Sequence, residues 1–234
     1  MAILNVTPDS FYADSRLSSV DDAVQAAQQS IAEGASILDI GACSTRPGSR
    51  AVSAEVEWQR LEPVLRAIRQ TLPTVQLSVD TFRPEIAERA ICLAGEIIIN
   101  DISGGSEEMM RLVRKWHVPY VWTLRGNYDW LARMPEMEDI DLILDPGLGF
   151  CGGVDQDYDC LRHIDILRSY NRPILVGCSR KSMLYKPFGV TPADCLSATQ
   201  VLHFYALQHG ATILRAHDIR EAMQTITLYQ RLCE

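Results

Sequence analysis

The sequence predicts an α/β protein, a single (β/α)8 or TIM barrel over residues 1–234. Short, nearly continuous apolar runs alternate with longer segments whose apolar residues recur at helical spacing, and eight such units follow one another. The chain is also close to the roughly 250 residues of a typical barrel of this kind. An open, doubly wound sheet is the alternative for the same alternation of strands and helices.

The eight predicted strands are runs of the kind that parallel sheets bury on both faces. They cover residues 2–6, 36–41, 76–81, 96–101, 119–125, 141–146, 173–179 and 211–218. Segments such as 20–33 and Ala54–Thr71 have amphipathic spacing and acidic residues in the first turn, which is typical of helices. Gly34 and Gly95 are predicted to end helices.

The fifth unit is predicted to be shortened. Only 18 residues lie between Gly126 and Asp145, and they include Pro135 and several acidic residues. Proline interrupts helical hydrogen bonding, and the segment has little apolar periodicity. We therefore expect at most a short helix in this part of the chain.

Composition and charge exclude several classes of partner. The formal net charge of −8 argues against nucleic acid, because binding to its phosphates requires a surplus of Lys and Arg. No apolar run approaches the ~20 residues of a membrane span. The seven cysteines are widely spaced without a C-x-x-C pair, which favours a reducing, cytoplasmic compartment over a disulfide framework.

Polar residues cluster at the predicted carboxyl ends of the strands, where barrels of this class place their active sites. Asp and Asn can pair with the amide and amidine edges of a flat heterocycle, and Asp80 and Asp145 are the anchors we expect. The strand-end residues are Asn5, Asp39, Asp80, Asn100, Asp101, Arg125, Asp145, Lys181, Arg215, His217 and Asp218.

Cationic residues in the same set indicate a phosphate group beside that heterocycle. Arg215 and His217 are two residues apart on a strand and so project to one face. Lys181, Arg46 and Arg180 add donors of the kind that bind phosphate oxygens. A dinucleotide-binding site at Gly-x-Gly-x-x-Gly, residues 147–152, is disfavoured because no acidic residue ends the next strand.

Seven segments in order along the chain resemble the signatures of the dihydropteroate synthase family. The segments are NVTPDSF at 5–11, DIGACSTRPG at 39–48, SVDT at 78–81, NDISG at 100–104, DPGLGF at 145–150, SRKS at 179–182 and RAHD at 215–218. Segments 44–48 and 179–182 are the most particular to the synthases, since the related methyltransferases share strand-end Asp and Asn. The sequence departs from the family pattern after Phe150, where Cys151 and two glycines replace the usual Gly-Lys.

The resemblance implies a role for each matching residue. Asp80, Asn100, Asp145, Lys181 and Arg215 would bind the pterin, with Lys181, Arg46 and Asp80 as the catalytic set. The remaining assignments are Asn5, Arg46, Arg215 and His217 for pyrophosphate, Asn5 for magnesium, and Thr45, Pro47, Lys181 and Ser182 for p-aminobenzoate.

The implied activity is the condensation of 6-hydroxymethyl-7,8-dihydropterin pyrophosphate with p-aminobenzoate, which gives dihydropteroate for folate synthesis. The resemblance further implies a Mg²⁺ cofactor, a homodimer formed by late helices around residues 193–209, and sensitivity to sulfonamides. Two alternatives stay open: a catalytically inactive pterin-binding paralogue, and a methyltransferase that uses methyltetrahydrofolate.

Overall fold

The computed structural model describes residues 1–6, 19–43, 52–125 and 134–233. Helices and strands alternate along two compact units, Met1–Tyr120 and Val121–Glu234. The prediction of a single domain stays a prediction. The strands are β1 (Ala2–Asn5), β2 (Ile37–Gly41), β3 (Gln76–Asp80), β4 (Ile97–Asp101), β5 (Tyr120–Thr123), β6 (Leu142–Asp145), β7 (Leu175–Val176) and β8 (Ile213–Leu214).

The α-helices lie between these strands, as the apolar spacing predicts. They are α1 (Val20–Ala32), α2 (Ala54–Thr71), α3 (Pro84–Ala94), α4 (Glu107–Trp116), α5 (Val154–Arg162), α6 (Ser182–Tyr185), α7 (Leu196–Gln208) and α8 (Ile219–Cys233). Ser19, Ser53 and Ser106 each accept a hydrogen bond from the backbone N–H three residues later, and these N-caps fix where α1, α2 and α4 begin.

The first unit contains four parallel strands in the order β1-β2-β3-β4. Because side chains alternate along a strand, residues two apart share one face of the sheet, and in β2 and β3 one face is wholly apolar. Leu38, Ile40, Leu77 and Val79 on that face are completely buried, and α1, α2 and α3 contact these strands. The opposite face carries the polar residues of the candidate site.

In the second unit, β7 and β8 pair in parallel with Leu175 opposite Ile213. A bridge joins Leu144 to Ile174, and the N–H of Leu124 donates to the carbonyl oxygen of Asp145. The seventh and eighth strands are shorter than the predicted 173–179 and 211–218. Strand pairing ends at Val176 and Leu214, and the residues that follow form the loops that carry Lys181 and His217.

The shortened fifth unit is only partly described. Residues 126–133 lie outside the described residues, so the short helix considered there is not tested over most of its length. Met134–Met137 forms a single 3-10 turn before β6. None of the helices in the described parts of the chain is long and apolar enough to cross a membrane.

Candidate active site

Three predicted site residues of the first unit lie in one row across its sheet. Asn5 is opposite Gly41, Gly41 is opposite Asp80, and Asp80 is opposite Asn100. All four residues are at or next to the carboxyl end of a strand, and the period of two puts their side-chain positions on the polar face. The structure therefore brings Asn5, Asp80 and Asn100 together, as the sequence predicts.

Gly41 keeps the space between Asn5 and Asp80 open. A methyl group at Gly41 would lie 3.4 Å from the Asp80 Cβ and 3.6 Å from each of two oxygens, Asn5 Oδ1 and Asp80 Oδ2. Two side-chain oxygens thus lie on either side of this opening, and any larger side chain at position 41 would occupy it. Sequence reasoning placed no functional weight on Gly41, although the pattern of polar residues on both of its neighbours was a usable signal.

A second polar layer lies one step below this row. Asp39 and Ser78 are opposite each other in the register, and both are completely buried. The Ser78 hydroxyl donates to Asp39 Oδ1 at 2.6 Å, and Asn100 Nδ2 donates to Asp39 Oδ2 at 3.0 Å. Asp39 therefore supports Asn100 from beneath instead of lining the open end of the row.

Asp101 does not belong to the site face either. Its neighbour Asn100 occupies the polar face, so Asp101 points to the opposite one. There it accepts hydrogen bonds from the Tyr120 hydroxyl at 2.7 Å and from the Ser103 N–H at 2.6 Å. The expectation that Asp101 takes part in the ring of ligand-binding groups is therefore wrong, and its role is to hold the loop after β4.

Lys181 is the central charged residue of the second unit. Its Nζ donates to the Leu148 carbonyl oxygen and lies 5.2 Å from the centre of the Phe150 ring. Burial lowers the pKa of Lys181; nearby Asp145 opposes this shift and Arg215 reinforces it. A partly buried ammonium is poorly solvated, so an anionic or electron-rich ligand would stabilise its charge.

Two glycines make room for this lysine. A methyl group at Gly149 would come within 3.0 Å of Lys181 Cδ, and one at Gly177 would lie 3.7 Å from both Lys181 Nζ and the Arg215 Cβ. Gly177 therefore separates Lys181 from Arg215, and the two predicted pterin-binding cations are close neighbours. Their proximity also explains why the charge of Arg215 lowers the pKa of Lys181.

The loop after β6 is shaped by carboxylates. Asp145 Oδ1 accepts from the Gly147 N–H at 2.8 Å, and Asp157 of α5 accepts from the Gly149 N–H at 2.7 Å. Gly147 has a φ of 83° and approaches the Arg125 backbone closely. Asp157, which is buried, was not identified from the sequence, because its partner is a backbone group.

His217 is held by Ser179 from the loop after β7. The Ser179 Oγ accepts the backbone N–H of His217 at 3.3 Å and is 3.1 Å from its Nδ1. Burial, followed by the charge of Arg215, lowers the pKa of His217 to about 4. At neutral pH the ring is therefore neutral. Since Nδ1 faces the hydroxyl of Ser179, the Nε2–H can donate to a ligand.

Arg180 is a structural residue, contrary to its expected role among the phosphate-binding cations. Its Nε and Nη2 donate to the two carboxylate oxygens of Asp218 at 2.9 and 2.8 Å. Its Nη1 donates to the carbonyl oxygens of Pro192 and Ala193. With all of these bonds made and only 7% of the residue exposed, Arg180 joins the loops after β7 and β8 and so positions Lys181 and His217.

The structure describes only two of the four residues assigned to p-aminobenzoate, Lys181 and Ser182. Thr45, Pro47 and Arg46 lie outside the described residues. Ser182 is the first residue of α6, directly after Lys181. Cys178, beside this segment, is completely buried, and burial raises the pKa of its thiol to about 12, so it packs in the core and is a poor nucleophile.

Comparison with known proteins identifies the relatives of this chain. A family model described as pterin binding enzyme matches residues 1–138 and 131–217. The chain belongs to the pterin binding enzyme family. Within this family it is 35% identical to the dihydropteroate synthase of Escherichia coli over 98% of this chain and 90% of the relative. The alignment with this relative is 255 positions long, which exceeds the 234 residues of the chain. The two segments that match the family model overlap at residues 131–138, within the shortened fifth unit.

Solved structures of family members agree with this assignment. A Xanthomonas albilineans dihydropteroate synthase with 4-aminobenzoic acid is 33% identical, with a TM-score of 0.88, and the match covers 99% of this chain and 92% of that one. The same enzyme with 7,8-dihydropteroate has a TM-score of 0.84 at 31% identity and the same coverage. The predicted (β/α)8 class, the resemblance to dihydropteroate synthases and the predicted transferase activity are thereby confirmed. The individual site residues stay predictions.

Proposed function

We propose that this protein is a dihydropteroate synthase whose site includes the row Asn5, Gly41, Asp80 and Asn100. This row carries the proposal because it sets hydrogen-bonding groups in register beside an opening that a glycine maintains. The relatives compared above are dihydropteroate synthases, and the two solved structures hold 4-aminobenzoic acid and 7,8-dihydropteroate.

The residues we assign to the pterin, following the resemblance to the synthases, are Asp80, Asn100, Asp145, Lys181 and Arg215. Carboxylates accept hydrogen bonds from the N–H groups of a pterin, and their charge favours the positive charge that develops on the ring. Lys181 and Arg215 are neighbours across Gly177, so one can donate to the ring while the other covers its face.

The reaction breaks the bond between the pterin methylene carbon and a pyrophosphate oxygen. The amine nitrogen of p-aminobenzoate forms the new bond to that carbon and then loses a proton. Pyrophosphate leaves with the electron pair of the broken bond. No protein nucleophile is needed, and the residues act by stabilising charge and holding the two substrates in line.

The residues we assign to pyrophosphate, again following the resemblance, are Asn5, Arg46, Arg215 and His217. His217 contributes a neutral N–H, because its low pKa leaves the ring uncharged at neutral pH. Arg215 carries the positive charge of this pair. The Ser179 hydroxyl keeps the imidazole in the orientation that this donation needs.

The residues of the first unit fit a Mg²⁺ ion. Asn5 Oδ1 and Asp80 Oδ2 are hard oxygen donors on either side of the opening at Gly41. No cluster of three or more His, Cys, Asp or Glu side chains suited to a metal occurs among the described residues. Oxygen donors such as these two suit Mg²⁺, which keeps several waters and takes further oxygens from substrate phosphates. When bound, the ion would offset the negative charge growing on pyrophosphate.

The p-aminobenzoate site is completed by Thr45, Pro47, Lys181 and Ser182, and sulfonamides would compete there. The backbone at Ser182 begins α6, and the Tyr158 hydroxyl donates to the Met183 carbonyl oxygen at 2.8 Å. This bond holds the start of α6 against α5. We expect sulfonamide inhibition to be competitive with p-aminobenzoate.

A homodimer is the proposed assembly, formed through α7 and α8. Val201 of α7 is 67% exposed, and Leu228 and Leu232 of α8 are 60% and 73% exposed, so an apolar surface is present on both helices. Phe204 and Tyr229 pack edge to face between these two helices.

Val201→Glu should convert the dimer to a monomer in sedimentation velocity, whereas Gln224→Glu on the exposed part of α8 should not. A wild-type monomer would overturn this assembly.

None of the seven cysteines forms a disulfide, which suits the proposed cytoplasmic location. Because the net charge is negative, we propose small-molecule substrates and no nucleic acid partner.

Asp80→Asn tests the proposed function most sharply at a single residue. The variant keeps the side-chain shape but removes the charge, so we expect at least a hundredfold loss of turnover with an unchanged unfolding midpoint. Asp141→Asn, at an exposed position before β6, is the matched control and should keep wild-type turnover. Wild-type turnover in Asp80→Asn would refute the pocket assignment.

A further inference from the structure

Asp39 is a completely buried carboxylate one step below the site row. It lies opposite Ile3 on one side and Ser78 on the other, so it is not at the open end of the strands. Ser78 Oγ donates to its Oδ1 at 2.6 Å and Asn100 Nδ2 donates to its Oδ2 at 3.0 Å. Each carboxylate oxygen therefore has a donor of its own.

This arrangement determines which end of the Asn100 amide faces Asp39. An Asn side chain can present its NH₂ group or its oxygen to a neighbour. Here Asn100 Nδ2 donates to Asp39 Oδ2. The NH₂ group of Asn100 must therefore point to Asp39, and the amide oxygen is turned away from it. The Ser78 hydroxyl donates to the other carboxylate oxygen, Oδ1.

Asn100 is opposite Asp80 in the register, so its amide oxygen belongs to the same polar row as the Asp80 carboxylate. Two acceptors side by side recognise a ligand edge that offers adjacent N–H groups. An amide with the reverse orientation would present a donor beside the Asp80 acceptor and would fit a different heterocycle.

We propose that Asp39 is a positioning residue that sets the hydrogen-bonding specificity of the site by fixing the orientation of Asn100. It touches no substrate itself. The ligand that this arrangement selects is a heterocycle with a ring N–H or amino group facing position 100, and the proposal rests on the proposed function in taking that ligand to be the pterin. A ring with an acceptor atom there is disfavoured.

Asp39→Asn reverses this selection without changing the size of the side chain. The new amide oxygen still accepts from Ser78, but its NH₂ group now faces Asn100 and draws the Asn100 oxygen toward it. Asn100 then presents a donor to the ligand. We expect the Kd for 6-hydroxymethyl-7,8-dihydropterin, measured by calorimetry, to rise by about 10- to 100-fold.

The exchange variant Asp39→Asn/Asn100→Asp restores the pattern. The amide at position 39 donates to the carboxylate at position 100, whose other oxygen faces the ligand as an acceptor. We expect this double variant to bind the pterin at least tenfold more tightly than Asp39→Asn. A merely structural role for Asp39 would not produce such a rescue.

Ser78→Ala is the matched control for loss of a buried hydrogen bond. It removes a donor to the same carboxylate but leaves the bond to Asn100 in place, so stability should fall while the Kd for the pterin changes by less than about threefold. Urea unfolding of all four proteins separates binding from folding. In steady-state assays the KM for the pterin substrate should rise in Asp39→Asn more than the KM for p-aminobenzoate.

The outcomes separate this proposal from the proposed function. If the wild-type chain binds no pterin, the proposed function fails. If the wild-type chain binds pterin and folded Asp39→Asn binds it equally well, or if the exchange variant gives no recovery over Asp39→Asn, the role of Asp39 is wrong while the proposed function stands.

Discussion

The buried His203 gives the chain a defined sensitivity to acid. This residue lies on α7 with no exposed surface, and its Nδ1 is 3.2 Å from Gln200 Oε1. Burial lowers the pKa of His203 from 6.5 to about 4. The unfolded chain therefore takes up a proton near pH 6.5 that the folded chain binds only near pH 4. The stability associated with the neutral ring is complete above pH 6.5 and is lost as the pH falls.

Linkage between proton binding and folding gives the magnitude. Between pH 7 and pH 5, a histidine with these two pKa values lowers the free energy of unfolding by about 2 kcal/mol. His217, whose pKa is lowered to a similar value, contributes a comparable loss. We expect His203→Met to be nearly as stable as wild type at pH 7 and to lose about 2 kcal/mol less than wild type on going to pH 5.

Urea unfolding at both pH values, followed by circular dichroism, measures this difference. His163→Met is the control, since the His163 side chain is already 50% exposed, and this variant should follow the wild-type pH dependence. Equal losses in wild type and His203→Met would refute the argument that burial of this ring destabilises its charged form.

Other predictions follow from the packing around the site. Gly41→Ala should unfold within about 1 kcal/mol of wild type, because the new methyl group makes only ordinary contacts, yet it should lower turnover at least tenfold by filling the opening. Gly147→Ala should lower the free energy of unfolding in urea by more than about 2 kcal/mol, because its Cβ would lie 2.8 Å from the Arg125 backbone nitrogen. Gly95 has a similar φ but open space around it, so Gly95→Ala should lower that free energy by about 1 kcal/mol. Arg180→Lys should lower the free energy of unfolding in urea by about 2 kcal/mol, because lysine cannot form the two paired hydrogen bonds to Asp218.

Much of the first unit's site was predictable because a strand has a simple period. Asn5, Asp80 and Asn100 end apolar runs, and the parallel order then requires them to be neighbours. The same period of two, applied strictly, would have placed Asp101 on the other face, where it binds the Tyr120 hydroxyl. That error arose from counting residues at strand ends without assigning each one a face.

The second unit was harder to predict because its contacts depend on chain turns. Arg180 stands in the same short segment as Lys181 and carries the same charge, but its φ of 55° turns the backbone and its side chain meets Asp218, 38 residues later. Asp157 meets a backbone N–H of the loop after β6. Such contacts follow no periodicity in the sequence, because they depend on how loops and helices pack in three dimensions.

The most direct test of the central claim is pyrophosphate release by the purified protein, supplied with 6-hydroxymethyl-7,8-dihydropterin pyrophosphate and Mg²⁺, with and without p-aminobenzoate. A synthase predicts release that depends on p-aminobenzoate and is matched by an equal amount of dihydropteroate. Pterin binding without any release would contradict the claim and would indicate a catalytically inactive paralogue.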